Sequence, residues 1–101
     1  MEVEGLAAAL AIEPPAILDV REGWELALCS LAGALHIPLG ELAARFGELD
    51  RDRPLVVMCH HGVRSRAAQA FLLAQGFSRV VNLAGGIDAW ARRVDPSMAT
   101  Y

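Results

Sequence analysis

The sequence predicts an α/β fold in which a small parallel sheet of four or five strands carries helices on both faces. Short, continuously apolar runs are typical of strands buried on both sides. Here such runs alternate with segments of helical periodicity, which is typical of parallel crossover connections. The composition is globular, because 54% of the 101 residues are apolar and 21% are charged. No internal repeat or linker is visible, so we expect one domain over residues 1–101.

The first half of the chain predicts two helices and two strands. A pair of prolines precedes the first apolar run, and Pro38 closes the second. A helix follows because apolar residues recur there with the spacing of one helix face. The predicted elements are a helix at Glu4–Ala11, strands at Ala16–Val20 and Ala34–Ile37, and a helix over Leu39–Phe46.

The second half predicts two further strands, each followed by a helix. A polar turn leads into the most strongly apolar strand of the chain, and an alanine- and leucine-rich helix then ends at Gly76, a residue type favoured just past a helix C terminus. The predicted elements are a strand at Leu55–Met58, a helix at Val63–Gln75, a strand at Arg79–Leu83 and a last helix after Gly85 and Gly86.

Charge and hydropathy exclude several classes of protein. The net charge is −3, with nine arginines and no lysine, whereas nucleic-acid binding usually needs a basic stripe. No apolar stretch approaches the roughly 18 residues that span a bilayer, so we expect no membrane partner. The N-terminal apolar patch has acidic flanks, unlike a secretory signal, and we therefore expect a cytoplasmic protein. Nothing indicates a large exposed apolar patch, and we expect a monomer.

The two cysteines do not form a disulfide framework, and only one of them has a special setting. Cys59 ends an apolar strand and is followed by a short loop that leads into a helix. Ligands of open α/β sheets bind at such strand ends, and the N terminus of a helix favours an anion. A thiolate is an anion, so this position should lower the thiol pKa below its free value of about 8.5.

The loop residues support the same interpretation. Gly62 lets the backbone curl so that successive N–H groups point at one centre, while Arg64 and Arg66 add positive charge. A structural alternative is that Cys59 is only a small buried hydrophobe. A metal site with His60 and His61 is a weaker alternative, because adjacent residues in a tight loop rarely aim at one ion. We therefore predict a nucleophilic cysteine, and no metal or other cofactor.

Four motifs, in the correct order, resemble those of the rhodanese-like sulfurtransferases. The stretch CHHGVRS at 59–65 resembles the active-site loop of that family, in which a cysteine opens a six-residue loop. The other three stretches are LDVRE at 18–22, LAGALHIP at 31–38 and NLAGGIDAW at 82–90. Cys29 and Ser30 depart from the pattern, since many members have Gly-His there. The resemblance extends from about residue 16 to residue 90 and implies a rhodanese-like fold.

The resemblance implies the transfer of sulfane sulfur. Cys59 would attack the outer sulfur of a small donor such as thiosulfate or a persulfide, become a persulfide itself, and pass the sulfur to cyanide or a thiol. An anionic persulfide sulfur requires several convergent donors. The loop residues would provide this cradle, and Arg64 would orient the departing sulfite or the sulfonate end of the donor. These loop residues are His60, His61, Gly62, Val63, Arg64 and Ser65.

Asp19 and Arg21 lie at the end of a neighbouring predicted strand, on the binding edge of the sheet. We expect them to brace the loop electrostatically, and the alternative is a surface ion pair of little energetic consequence. For the proposed chemistry, the thiol of Cys59 must also be reachable from solvent.

Three other functions remain possible at this point. Related folds carry a Cys-x5-Arg phosphatase loop, and an arsenate reductase uses similar chemistry. In this chain, however, the arginine comes five residues after Cys59 rather than six, which makes a tighter cradle. A non-catalytic interaction module would typically have lost the cysteine. A persulfide relay that serves a partner protein needs the same cysteine and cradle, so the sequence does not separate it from an enzyme.

Overall fold

The computed structural model describes all 101 residues, and it contains five α-helices and four strands. The helices are α1 (Val3–Ile12), α2 (Gly23–Leu26), α3 (Leu42–Arg45), α4 (Val63–Ala74) and α5 (Gly86–Arg93). The strands are β1 (Ala16–Asp19), β2 (Leu35–His36), β3 (Leu55–Met58) and β4 (Val80–Asn82).

The four strands form one parallel sheet in the order β2-β1-β3-β4. Asp19 pairs with His36 on one side and with Met58 on the other, so three strands end level at one edge of the sheet. The chain builds the sheet outward from β1 in both directions, which makes the boundary between β1 and β3 the topological switch point. Open parallel sheets bind ligands at this position. The loop after β3 therefore opens into the expected crevice.

Both faces of the sheet are covered, as predicted. Alternate residues of a strand point to opposite faces. In β3, Leu55 and Val57 belong to one core cluster, which includes Leu72 of α4. Val56 and Met58 belong to a second cluster, to which α1 and α5 contribute. The prediction of a parallel α/β fold with four or five strands is confirmed, with four strands.

The predicted helix over Leu39–Phe46 is only partly confirmed. The α-helical part is α3, and the chain forms 3₁₀ turns before and after it. Gly40 and Gly47 lie in these two turns. Glycine costs a helix interior about 1 kcal/mol relative to alanine, and so short a segment has few interactions to offset this.

The predicted bounds of the other elements differ from the observed bounds by at most one residue, and those of β3 agree at both ends. The short helix α2 was not predicted. It begins just after Glu22, whose backbone N–H donates to the carboxylate of Glu25 at 3.1 Å. Four residues are too few to show a helical period in the sequence. No helix of the protein combines the length and the apolar character that crossing a bilayer requires.

Candidate active site

The loop after β3 is tightly curled around the sulfur of Cys59. Gly62 has φ = 102°, in the left-handed region, and α4 begins at the next residue. A Cβ atom at Gly62 would lie 3.4 Å from the carbonyl oxygen of Leu83, in addition to the strain of the positive φ. Glycine therefore permits both the turn and the close approach of the backbone to the β4–α5 connection.

Two backbone amides donate to the sulfur, and one hydroxyl lies beside it. The backbone N–H of Gly62 donates to Cys59 Sγ at 3.0 Å and that of Ser65 at 3.4 Å, while the Ser65 hydroxyl lies 3.3 Å from it. Burial alone would raise the pKa of the Cys59 thiol. The hydroxyl and amide of Ser65, the amide of Gly62 and, least, the amide of His61 outweigh it, so the pKa of Cys59 is lower than its ordinary value. The arrangement favours a thiolate.

Asn82, at the end of β4, holds two parts of this cradle. Its Oδ1 lies 2.5 Å from the Ser65 hydroxyl oxygen and shares the single hydroxyl hydrogen with Cys59 Sγ, and its Nδ2 donates to the carbonyl of Gly62 at 3.0 Å. Ser65 is fully buried, and Asn82 is partly buried. One side chain therefore fixes both the orientation of the Ser65 hydroxyl and the peptide that follows Gly62.

Helix α5 holds the other side of the loop. The backbone N–H of Ile87 donates to the Cys59 carbonyl at 2.9 Å, and that of Asp88 donates to the His60 carbonyl at 3.1 Å. Gly86 has φ = 59°, and a Cβ atom there would overlap the carbonyl oxygens of Cys59 and His60. Gly86 does more than permit a strand-to-helix turn, because it allows the start of α5 to pack directly on the loop backbone.

The side chain of Arg64 does not point freely toward a donor. Its guanidinium donates to both carboxylate oxygens of Glu25, at 2.6 and 2.8 Å. These hydrogen bonds lower the pKa of Glu25 to about 2, against the effect of burial. The sequence predicted that Arg64 would orient the sulfonate of a donor, whereas the structure places this cation in a bidentate pair with a buried carboxylate.

Asp19 and Arg21 form a salt bridge at 2.8 Å in which both side chains are almost completely buried. The alternative interpretation of Asp19 and Arg21 as a surface ion pair is therefore wrong. Arg21 also donates to the backbone carbonyl of Cys29 at 2.9 Å and to the hydroxyl of Tyr101 at 3.0 Å. The pair connects the end of β1 to the C-terminal segment of the chain.

Access to the thiol differs from the expectation, because Cys59 exposes only 1% of its surface. The next residue, His60, lies between two other rings. Its ring stacks on that of Tyr101 at 3.8 Å with an angle of 7°, and on that of His61 at 3.9 Å with an angle of 30°. Burial, followed by repulsion from His61, lowers the pKa of His60. The stack lies beside the first loop residue after Cys59.

His60, His61 and Asp88 offer ligand atoms that all lie within 4.8 Å of one another. At metal–ligand distances of about 2.1 Å, however, the ligand atoms of one tetrahedral ion lie roughly 3.4 Å apart. The His61 Nδ1–Asp88 Oδ2 distance is 3.9 Å. This geometry gives no reason to assign a metal site.

The loop residues predicted from the sequence have different roles. Cys59, Gly62 and Ser65 meet at the sulfur, and His61 contributes through its backbone. The backbone N–H groups of His60, Val63 and Arg64, which were also expected in the cradle, make no hydrogen bond to the sulfur, and the side chain of Val63 is 79% exposed. Three residues of the site were not predicted, namely Glu25, Asn82 and Tyr101. Asn82 could have been found, because it is a polar residue at the carboxyl end of a predicted strand, just as Cys59 is at the end of another.

Comparisons with known proteins show the family and the fold of the chain. Residues 2–93 match the family model of the Rhodanese-like domain. The chain is 39% identical over 100 residues to a sulfurtransferase of Allochromatium vinosum, covering 98% of this chain and 94% of the relative. It is 36% identical over 89 residues to the thiosulfate sulfurtransferase GlpE of Actinobacillus pleuropneumoniae, covering 88% and 82%. The crystal structure of a rhodanese-related protein from Thermoplasma volcanium superposes with a TM-score of 0.84 at 35% identity, covering 93% and 91%.

Proposed function

The chain belongs to the rhodanese-like domain family, and from this membership we propose that it transfers sulfane sulfur through a persulfide on Cys59. The sulfur-transferring role follows from its relatives. The donor, the acceptor and the covalent intermediate are the proposal.

The reaction consists of two displacements at sulfur. The Cys59 thiolate attacks the outer sulfur of thiosulfate, the S–S bond of the donor breaks, and sulfite leaves with the bonding electron pair. Cys59 then carries a terminal sulfur with a negative charge. Cyanide or a thiolate attacks this sulfur, and the Cys59 thiolate leaves, which regenerates the starting state. No net oxidation or reduction of the protein occurs over the cycle.

The observation that carries the proposal is the convergence of the Gly62 and Ser65 amides on the sulfur of Cys59. These donors are fixed by the backbone and by Asn82, so they need no reorganisation when negative charge develops. They lower the pKa of the thiol in the resting state, and they stabilise the Cys59 thiolate when it leaves in the second displacement.

A phosphatase or arsenate reductase is the weaker interpretation. A loop for a tetrahedral oxyanion must direct its amides to oxygens that lie beyond the sulfur. Here the Gly62 N–H is in hydrogen-bond contact with Cys59 Sγ itself, at 3.0 Å. The loop is also one residue shorter than the Cys-x5-Arg pattern.

A second candidate is a relay that receives its sulfur from a persulfide rather than from thiosulfate. The pairing of Arg64 with Glu25 favours it, because the loop arginine is already neutralised and offers little attraction to a dianion. A persulfide donor carries less charge and depends less on such a cation. Both candidates use Cys59 in the same way and differ in the donor and in the acceptor, which for a relay is a partner protein.

The decisive experiment follows sulfur onto the protein. After incubation with thiosulfate, and separately with a small organic persulfide, peptide mass spectrometry should show one added sulfur atom on the Cys59 peptide. Cys59→Ser should abolish thiosulfate:cyanide sulfur transfer. Cys29→Ser is the matched control, and it should keep both the modification and the turnover. Turnover by Cys59→Ser, or the added mass on Cys29, would refute the assignment of the nucleophile.

A further inference from the structure

The C-terminal segment returns to the active-site loop although it lies beyond the family match at residues 2–93. After α5 ends, the chain turns at Asp95, whose carbonyl accepts the N–H of Met98 at 3.0 Å and whose side chain accepts that of Ser97 at 3.2 Å. Met98 and Tyr101 then pack against the core cluster formed by α1, α5 and one face of the sheet. The segment is thereby held against the body of the protein.

The hydroxyl of Tyr101 is held by two charged groups. It accepts a hydrogen bond from Arg21 Nη1 at 3.0 Å and donates one to Glu25 Oε2 at 2.5 Å. Arg21 is paired with Asp19 and Glu25 is paired with Arg64, so both partners are themselves fixed. Hydrogen bonds to charged groups are stronger than neutral ones, and together they fix the position of the ring.

The ring of Tyr101 faces the loop. It lies flat on His60 at 3.8 Å and meets the edge of Trp24 at a centroid distance of 6.2 Å. His60 is bonded directly to Cys59, which exposes only 1% of its surface. Among the stacked rings next to the nucleophile, that of Tyr101 is the one contributed from outside the loop. Its removal would uncover one face of His60 without changing any residue of the cradle.

We propose that Tyr101 is a specificity-determining residue that restricts access to Cys59 and so favours small sulfur donors over bulky ones. This inference rests on the proposed role of Cys59 as the nucleophile. With the ring in place, thiosulfate or a low-molecular-weight persulfide reaches the sulfur, whereas a donor with a bulky group next to its sulfur meets the Tyr101–His60 stack.

The test compares two neutral thiol reagents of different size on the 101-residue chain, with the modified residue identified by peptide mass spectrometry. Iodoacetamide is the small reagent, and N-phenylmaleimide is the bulky one. We expect Tyr101→Ala to raise the ratio of the bulky rate to the small rate at Cys59 by about tenfold, the scale on which a pocket wall discriminates size. Tyr101→Phe keeps the ring and its stack on His60, and we expect it to keep the wild-type ratio.

Two outcomes would overturn the inference. If Tyr101→Ala changes both rates by the same factor, the residue affects the reactivity of the thiol and not its access. If Tyr101→Phe behaves like Tyr101→Ala, the hydroxyl network and not the ring is responsible. Partial unfolding of the Tyr101→Ala variant would expose Cys59 to both reagents, and it would be recognised by a lower melting temperature than that of wild type. Alkylation does not require sulfur transfer, so a failure of the proposed function would be seen separately.

Discussion

Arg64 and Glu25 form a bidentate ion pair across 39 residues of sequence, with N–O distances of 2.6 and 2.8 Å. The carboxylate is almost fully buried, whereas the guanidinium is about one-third exposed. The pair joins α2 to the active-site loop, and the carboxylate neutralises the positive charge that Arg64 would otherwise present to a substrate.

Glu25→Gln should strengthen the binding of thiosulfate. The amide cannot neutralise Arg64, so the guanidinium regains its full charge beside the loop. For a partly exposed cation the gain is about 1 kcal/mol, and we expect the KM for thiosulfate to fall about fivefold. Steady-state kinetics provide the measurement. Glu41→Gln, which removes an exposed carboxylate paired with Arg45, changes the net charge equally and should leave KM unchanged. An equal fall in both variants would attribute the effect to net charge alone.

The same pair should make stability depend on pH in the acid range. The pKa of Glu25 is about 2 in the folded protein, below its ordinary value of 4.5, so the carboxylate stabilises the fold above pH 4.5. This contribution is lost as the pH falls from 4.5 through 2. At neutral pH, Glu25→Gln should lower the free energy of unfolding by about 2 kcal/mol. This difference in stability between the variant and wild type should vanish near the acid end of the window. Urea unfolding at a series of pH values measures it, and a constant difference would contradict this origin.

Ser65→Ala should make the thiol of Cys59 less acidic. The Ser65 hydroxyl is the largest of the groups that lower the Cys59 pKa, so its loss should raise that pKa and reduce the thiolate fraction at neutral pH. The rate of alkylation by iodoacetamide, followed against pH, should inflect at a higher pH than in wild type. Ser78 is exposed and far along the chain from the loop, and Ser78→Ala serves as the control. An unchanged inflection would mean that the backbone amides alone set the acidity.

Gly86→Ala should destabilise the protein more than other glycine substitutions. The added methyl group would overlap the carbonyls of Cys59 and His60 and would sit on a backbone with φ = 59°. We expect the free energy of unfolding to fall by about 2–3 kcal/mol and sulfur transfer to become slower. At Gly47 a Cβ atom has no neighbour within 4 Å, and Gly47→Ala is the matched control, with little expected effect. Thermal unfolding of the two variants makes the comparison, and equal melting temperatures would contradict the packing argument.

The sheet and the loop could be predicted from the sequence because their signals are local. The apolar run of β3 and the glycine at position 62 define a strand, a turn and a helix start without reference to the rest of the chain. Cys59 was identified from the same local signals. The resemblance of four motifs to one family then predicted which α/β fold these elements form.

The partners of the loop could not be predicted, because they come from distant segments. Glu25 meets Arg64 only when α2 packs beside the loop, and Tyr101 reaches His60 only after the chain has turned beyond α5. No periodicity or spacing encodes such contacts. For the same reason the sequence suggested an unpaired Arg64 and a solvent-accessible thiol. In the folded chain the carboxylate of Glu25 pairs with Arg64, and the ring of Tyr101 stacks on His60, next to Cys59.

The loop is tethered on both sides of His61. Before it, the Cys59 and His60 carbonyls are bound by α5, and after it, the Gly62 carbonyl is bound by Asn82 of β4. The one remaining peptide unit, between His61 and Gly62, is itself bound to the Cys59 sulfur through the Gly62 N–H at 3.0 Å. Lengthening the loop to enclose a larger oxyanion would therefore release one of these anchors. A longer loop would thus require changes in β4 and α5 as well as in the loop itself. The elements that limit the size of the reacting group therefore lie in the C-terminal third of the chain.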